Sequence, residues 1–253
     1  MLRSMKIPTY PRKIAIPVRI LQTGLMIALL ASIHTATAGV FSVTPVRIYM
    51  TPRDRAVAVT ITNEGDTAVV LQADVNVWSQ KPDGTDELTL TDDLILAPPI
   101  IKLAPKARQV VRLARLAPAD ASRQLTYRMI LREIPEVLAA QNNIQVPIAL
   151  ALSMPVFITP PPAARNISCT AARDAQTVAV TCVNNGTAYA QVREILLKRG
   201  EKVDARFEGG QYILPGARKS LSLKADQTVA GGPVQLVVTF DDAKVQSFDV
   251  MLP

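Results

Sequence analysis

Histidine is almost absent from this sequence. Its 253 residues include one, His34, which lies in a segment that we expect to be removed before the protein acts. Without histidine, the mature chain cannot build a Ser-His-Asp or Cys-His catalytic centre or a metal site with imidazole ligands. No pair of acidic residues stands out from the surface loops either. We therefore expect a protein that is not an enzyme, has no small-molecule substrate and holds no metal or cofactor.

Apolar runs long enough to cross a bilayer are also lacking. The run Gly24–Ile33 follows five basic residues and precedes the small-residue site Ala36-Thr37-Ala38. This order is typical of a secretory signal peptide, and the apolar run is too short to span a membrane. Residues 1–38 are therefore predicted to be a cleavable signal peptide, which leaves residues 39–253 as a soluble, exported protein.

A strong basic charge is lacking once the signal peptide is removed. The full chain has a formal net charge of +7, but the first 38 residues hold five Lys or Arg residues and no acid, so the mature chain carries +2. Most of the net positive charge of the full chain therefore comes from the signal peptide. It implies no nucleic-acid or anionic membrane partner.

Cysteine is scarce, with Cys169 and Cys182 as the two instances. In an oxidising compartment, an isolated pair favours a disulfide, here between two adjacent strands, and two free buried thiols are the alternative. The sequence has no C-x-x-C motif, so a redox-active role is disfavoured.

Alternating β-branched segments make up most of the mature sequence, with polar, glycine or proline turns between them. The predicted strands are Ala56–Asn63, Val69–Val77, Gln109–Leu113, Leu125–Leu131, Asn166–Thr170, Thr177–Val183, Ala188–Leu197, Lys219–Leu223, Val234–Phe240 and Gln246–Leu252. Short strands at this spacing indicate antiparallel sandwiches. The stiff linker Pro160-Pro161-Pro162 divides them into residues 39–160 and 161–253, each close to one immunoglobulin-like domain in length. We predict an all-β protein with two immunoglobulin-like β-sandwich domains.

One further segment, Ile144–Ile158, has an apolar residue at every even position, which predicts a long strand with one apolar face. It also contains Pro147 and Pro155, which a central strand does not tolerate. The two prolines are eight residues apart, so their missing N–H groups fall on the same side. The pattern predicts a strand that is paired on one side and open on the other. The leading hypothesis is that the protein donates this strand to another protein.

Several motifs of the mature sequence occur in the order found in one known family. They are Phe41–Arg47, Val57–Asn63, Leu94–Pro105, Gln109–Leu113, Tyr127–Pro135, Pro155–Phe157 and Val183–Thr187. Together they resemble the periplasmic pilus-assembly chaperones of the PapD-like group over essentially the whole mature length. The resemblance implies two immunoglobulin-like domains in a boomerang arrangement. It also implies a non-enzymatic periplasmic chaperone that stabilises pilus subunits by strand donation and delivers them to an outer-membrane usher.

The resemblance also assigns site residues to this chain. The apolar face of the long strand would fill the groove of a subunit that lacks its own final strand. These residues are Val146, Ile148 and Leu150, flanked by Ile144 and Leu152. Arg47 would lie in the cleft between the domains and bind the subunit's terminal carboxylate. The alternative for Arg47 is an exposed strand arginine.

The sequence departs from the family pattern at two positions. Pro155 stands where a lysine usually assists the arginine, so carboxylate binding would depend on Arg47 alone or on another base. Thr159 stands where an arginine often bridges a glutamate and an aspartate, here Glu133 and Asp242. These departures suggest a divergent branch of the archaic or spore-coat-like type. Whether the free protein caps its own strand by forming a homodimer stays open.

Two alternatives belong to other functional classes. One is a structural pilus subunit or adhesin with tandem sandwiches, but Gly39-Val40-Phe41 enters the first strand without a donor extension. The other is a secreted enzyme on a sandwich scaffold, which the missing histidine disfavours.

Overall fold

The computed structural model describes residues 41–135, 149–174 and 177–253, apart from the side chain of Asp174. Strands, turns and loops account for these residues. Within the same ranges, no helix is long and apolar enough to cross a membrane. The predicted signal peptide, residues 1–38, lies outside the described residues, as do Ile144, Val146 and Ile148 of the predicted long strand.

The first half of the chain forms ten strands in two facing sheets. They are β1 (Phe41–Thr44), β2 (Ile48–Met50), β3 (Ala56–Asn63), β4 (Val69–Gln80), β5 (Asp86–Leu90), β6 (Leu94–Ala97), β7 (Ile100–Leu103), β8 (Arg108–Arg115), β9 (Leu125–Glu133) and β10 (Ala151–Ile158). One sheet has the order β1-β3-β8-β6. The other has the order β2-β10-β9-β4-β5, with β7 also paired to β4.

The second half forms seven strands in two sheets. They are β11 (Ile167–Asp174), β12 (Thr177–Asn184), β13 (Ala190–Arg199), β14 (Lys202–Ile213), β15 (Arg218–Leu223), β16 (Gly232–Phe240) and β17 (Val245–Leu252). The sheet orders are β11-β12-β15 and β14-β13-β16-β17. The prediction of an all-β chain with two immunoglobulin-like sandwiches is confirmed.

Each half has its own apolar core, built from alternate residues of its strands. In β3, for example, Val59 and Ile61 are buried while Ala58 is exposed, as the two-residue period of a strand requires. Trp78 and Phe157 lie on strands of the first half, yet their side chains belong to the core of the second. The two halves are therefore joined by apolar packing.

The turn between β4 and β5 also contacts the second half. The Gln80 side chain donates from Nε2 to the Tyr212 carbonyl and accepts at Oε1 from the Leu214 amide, both at 3.0 Å. Lys219 Nζ donates to the Gly84 carbonyl at 2.9 Å. Gly84 has a φ of +84°, and a Cβ there would lie 2.8 Å from the Arg218 carbonyl oxygen. Glycine is thus needed at this turn for both its conformation and its close approach.

Cys169 and Cys182 form a disulfide, as predicted. The two residues lie opposite each other on β11 and β12, and both are buried. The bridge closes a loop with a sequence separation of 13 residues.

Loss of this disulfide should destabilise the second half. For a loop of this length, we expect replacement of both cysteines by serine to lower the free energy of unfolding by about 3 kcal/mol. Denaturant unfolding of the oxidised protein and of the double variant measures the difference. A difference below about 0.5 kcal/mol would show that the bridge does little to stabilise the folded state.

Candidate functional site

The long strand of the sequence prediction is described only in part. Strand β10 begins at Ala151, and Leu150, just before it, is 37% exposed. Along its whole length, β10 pairs antiparallel with β9. On its other side it pairs in parallel with β2, and this pairing covers only Val156, Phe157 and Ile158. Within the described ranges, Ala151–Pro155 therefore has no strand partner on the β2 side.

Backbone hydrogen bonds show which residues point to each side of β10. The Glu133 amide at the end of β9 donates to the Leu150 carbonyl at 2.8 Å, and the Thr159 amide donates to the Met50 carbonyl of β2, also at 2.8 Å. Because polar groups of successive strand residues point to opposite sides, even-numbered residues face β9 and odd-numbered residues face the β2 side. The Pro155 nitrogen therefore lies on the open side, where no N–H is needed for the existing sheet.

The side chains of β10 also alternate between two environments. The even-numbered residues Leu152, Met154, Val156 and Ile158 pack with the core of the first half. Phe157, on the opposite face, packs with the core of the second half. The apolar face predicted from the sequence thus continues the first core toward Leu150.

Arg47 lies in a cleft between the two halves, just before β2. The cleft has a volume of about 960 Å³, and residues from both halves line it. Arg47 Nη1 donates to Asp241 Oδ2 at 3.0 Å, and the side chains of Arg47 and Asp241 are 31% and 14% exposed. Burial works against the positive charge, but contacts with Tyr49, Tyr212 and Asp241 outweigh it and raise the pKa of Arg47. Its partner in the structure is this chain's own Asp241, and binding of a subunit carboxylate by Arg47 stays a prediction.

Aromatic rings fill the junction behind Arg47. Phe157 stacks on Tyr189 with ring centroids 4.1 Å apart, and the Tyr49 ring centroid lies 5.8 Å from that of Phe157. Trp78 meets Tyr212 edge to face at 5.1 Å. Rings from both halves thus share one cluster, and aromatic pairs in these geometries add to the stabilisation from burial.

Two hydroxyl groups connect this cluster to Asp241. The Tyr189 hydroxyl donates to Asp241 Oδ2 at 3.1 Å, and the Tyr49 hydroxyl lies 3.0 Å from that of Tyr189. Burial, followed by the hydrogen bond with Tyr49 and the charge of Asp241, raises the pKa of Tyr189. Tyr189 therefore stays protonated and available as a donor.

At Thr159, the second departure from the family pattern, the structure shows hydrogen bonds between neutral groups. Thr159 Oγ1 accepts a hydrogen bond from Gln124 Nε2 at 2.7 Å, and Gln124 Oε1 accepts from the Tyr189 amide at 2.9 Å. The backbone amide of Gln124 also donates to the Thr187 carbonyl at 2.8 Å. Gln124 is buried, so neutral hydrogen bonds link the halves at this point.

The sequence left open whether Glu133 and Asp242 are bridged, and in the structure each has a different partner. Glu133 Oε2 accepts from the Leu150 amide at 3.4 Å. Asp242 instead forms two hydrogen bonds of 3.0 Å with Arg165, which lower the pKa of its carboxyl group. Arg165 thus fixes the turn after β16 from within the second half.

Sequence reasoning did not identify Asp241, Tyr189 or Gln124. Arg47 and Asp241 are separated by 194 residues, and no local pattern shows that Asp241 is the partner of Arg47. The one available signal was the cluster of acids and base in Asp241-Asp242-Ala243-Lys244 after a predicted strand, which is equally typical of a surface turn.

Comparison with known proteins identifies the first half. Residues 40–164 match the family model described as pili and flagellar-assembly chaperone, PapD N-terminal domain. No curated protein sequence matches the chain significantly.

Solved structures match across both halves. One is from the CsuC–CsuE chaperone–tip adhesion subunit pre-assembly complex of the archaic Csu pili of Acinetobacter baumannii, with a TM-score of 0.62 and 17% identity over 85% of this chain and 99% of that chain. The E. coli chaperone DraB has a TM-score of 0.54 and 17% identity over 83% of this chain and 98% of its own. A chain from the Salmonella enterica complex of SafA pilin with the SafB chaperone has a TM-score of 0.57 and 13% identity, with coverages of 86% and 99%.

At these identities, the solved structures show a shared two-sandwich fold, and the family model identifies its first domain. The chain belongs to the PapD-like family of pilus-assembly chaperones.

Proposed function

We propose that this protein binds pilus subunits through the free edge of β10 and protects them until an outer-membrane usher receives them. The observation that carries the proposal is the half-open strand: β10 is paired to β9 throughout but to β2 only from Val156 onward. A strand with one free edge and one apolar face can complete the sheet of an incomplete partner. Backbone hydrogen bonds supply affinity, and alternate side chains supply specificity.

The side-chain part of this proposal concerns the apolar face before β10. Leu150 is exposed and Leu152 packs against the first core, so the face extends from the protein's own core toward solvent. We infer that the predicted groove-filling residues Val146, Ile148 and Leu150, with Ile144 and Leu152 beside them, continue this face into the subunit. Three of these five, Ile144, Val146 and Ile148, lie outside the described residues.

Arg47 is the proposed anchor for the subunit's terminal carboxylate. A guanidinium has five N–H donors, of which Nη1 binds Asp241. Its cleft is open enough to admit a chain end, and Pro155, on the free edge of β10, supplies no charge. The other arginine of the cleft, Arg165, is bound at two nitrogens by Asp242. Arg47 is therefore the better candidate for an incoming carboxylate.

Export and domain limits complete the proposal. Cleavage after Ala38 would place the chaperone in the periplasm, where the Cys169–Cys182 disulfide forms readily. We propose residues 39–160 and 161–253 as the limits of the two domains. A second copy of the chain is the alternative occupant of the free β10 edge, and the size of the subunit-free protein at micromolar concentration distinguishes a monomer from a capped dimer.

Co-expression with candidate subunits tests the proposed function. Small subunit genes that lie beside an usher gene provide the candidates, and a tag on the chaperone permits recovery of the complex. We expect one subunit to co-purify in an equimolar complex and to pass from that complex to its usher. Failure of every subunit encoded next to the chaperone gene to co-purify would contradict the proposal.

Removing the anchor should weaken capture without unfolding the protein. A hydrogen bond to a charged group contributes about 1.5–3 kcal/mol, so we expect Arg47→Ala to weaken subunit binding by about 10-fold to 100-fold. Arg53→Ala is the matched control, because Arg53 is exposed and does not line the cleft. Titration of the purified subunit complex measures both variants, and equal affinity for the two would exclude Arg47 as an anchor.

A further inference from the structure

Asp241 already presents a carboxylate to Arg47. A single oxygen, Oδ2, accepts from Arg47 Nη1 at 3.0 Å and from the Tyr189 hydroxyl at 3.1 Å. Asp241 directly follows Phe240, the last residue of β16, and its backbone amide donates to the Gln191 carbonyl at 3.1 Å. The protein therefore contains a carboxylate-binding position with two donors, one charged and one neutral.

The donors of this position come from different elements. Arg47 precedes β2 in the first half, whereas Tyr189 precedes β13 in the second. The Tyr49 hydroxyl, 3.0 Å from that of Tyr189, donates to it when Tyr189 donates to Asp241. This order fixes the direction of the Tyr189 proton toward the carboxylate. The position is thus organised to hold a carboxylate whether or not Asp241 supplies it.

We propose that Asp241 is an internal stand-in for the subunit's terminal carboxylate, and that Tyr189 is the second donor of the anchor beside Arg47. This inference rests on the proposed function of Arg47. Two carboxylates cannot occupy the same two donors, and like charges a few ångströms apart repel. A subunit carboxylate that takes both of these donors therefore has to displace Asp241, so the cleft favours chain ends that combine a carboxylate with strand pairing along β10.

The other charges of the cleft support this assignment. Arg165 is bound to Asp242 at two nitrogens, and Lys244 Nζ lies 3.7 Å from the same carboxylate. These two cations therefore share Asp242 as their carboxylate partner. Among the described residues of the cleft, removal of Asp241 leaves Arg47 as the cation without a carboxylate partner, and the Tyr189 hydroxyl supplies the neutral donor that Pro155 cannot.

The test uses the full chain and the probe peptide acetyl-Ala-Ala-Ala-Ala, with either a free carboxylate or a terminal amide. NMR titration follows the Arg47 Nε–Hε signal. In the wild-type protein, we expect the carboxylate peptide to shift this signal and the amide peptide to leave it unchanged. Asp241→Asn should tighten binding of the carboxylate peptide at least 5-fold. Asp66→Asn, the matched control, removes the same charge at a side chain that is 81% exposed and does not line the cleft, and it should leave binding within 2-fold.

The role of Tyr189 is measured in the protein that carries Asp241→Asn. Adding Tyr189→Phe should weaken binding of the carboxylate peptide at least 3-fold, whereas adding Tyr212→Phe should not. Asp241→Ser replaces Asp241→Asn if thermal unfolding shows that the asparagine variant does not fold.

The outcomes separate this inference from the anchor itself. If the wild-type Arg47 signal responds to the carboxylate peptide but Asp241→Asn brings no tightening, Asp241 is not a stand-in and Arg47 remains the anchor. If Tyr189→Phe has no effect in the Asp241→Asn protein, Tyr189 is not the second donor. If the Arg47 signal responds to neither peptide in any variant, or to both equally, the anchor role of Arg47 is overturned together with the stand-in.

Discussion

Replacing Phe157 with alanine should lower the free energy of unfolding by about 3–5 kcal/mol, the usual cost of deleting a buried aromatic ring. Phe157 is fully buried, at 0% exposure. Its ring stacks on Tyr189 at 4.1 Å and lies within 6.2 Å of the Trp78 ring centroid. Since β10 carries this ring from the first half into the core of the second, the loss falls on the junction between the halves.

Denaturant unfolding followed by Trp78 fluorescence measures this loss, because Trp78 is the protein's one tryptophan and belongs to the same cluster. Phe248→Ala is the control: Phe248 is only partly buried and lies on the edge strand β17. We expect it to cost less than half as much. A loss below about 1.5 kcal/mol for Phe157→Ala would show that the aromatic cluster does not hold the halves together.

Replacing Leu150 with aspartate should reduce subunit recovery by at least about 100-fold while leaving the chaperone folded. An unpaired carboxylate buried in an apolar groove costs several kcal/mol, and each 1.4 kcal/mol is a factor of ten in affinity. In the free protein, Leu150 is 37% exposed, so its replacement does little to the protein's own core. On the sequence pattern, we expect the same result for Ile148→Asp.

The control for this experiment is Val110→Asp. Val110 is 58% exposed on β8, in the sheet that does not contain β10. Co-expression with the subunit, recovery through a tag on the chaperone and thermal unfolding of each variant give binding and folding separately. Strand donation through this face is wrong if Leu150→Asp and Ile148→Asp recover as much subunit as Val110→Asp.

Strand alternation made much of the fold predictable. The predicted strand Ala56–Asn63 has the same bounds as β3, and the predicted pairing of Cys169 with Cys182 joins neighbouring strands as expected. Strand β14 was not predicted from the sequence. Its sequence contains Gly209-Gly210 and several charged residues, which weaken the period of two that marks a strand. Its pairing with β13 is interrupted by register shifts, so its sequence pattern was irregular for a structural reason.

Only those features of the candidate site that depend on residues close together in the sequence could be predicted. The period of a strand is enough to place the Pro155 nitrogen on the side of β10 that faces away from β9. Pro147, the other proline of the spacing argument, lies outside the described residues. The partner of Arg47 could not be found in this way, since Asp241 is 194 residues away and depends on how the halves pack. The same holds for Gln124, which links Thr159 and Tyr189 through one side chain. Thr159 itself could be recognised as a departure, but not as a hydrogen-bond acceptor.

Backbone amide hydrogen exchange along β10 tests the central claim most directly. The amides of Ala151 and Ser153 point to the open side, whereas those of Leu152 and Met154 point to β9. On binding of a co-purifying subunit, we expect exchange at Ala151 and Ser153 to slow by at least about 10-fold, because these amides gain partners in the added strand. Leu152 and Met154 should already be protected in the free chaperone. Unchanged exchange at Ala151 and Ser153 in a stable subunit complex would contradict strand addition at this edge.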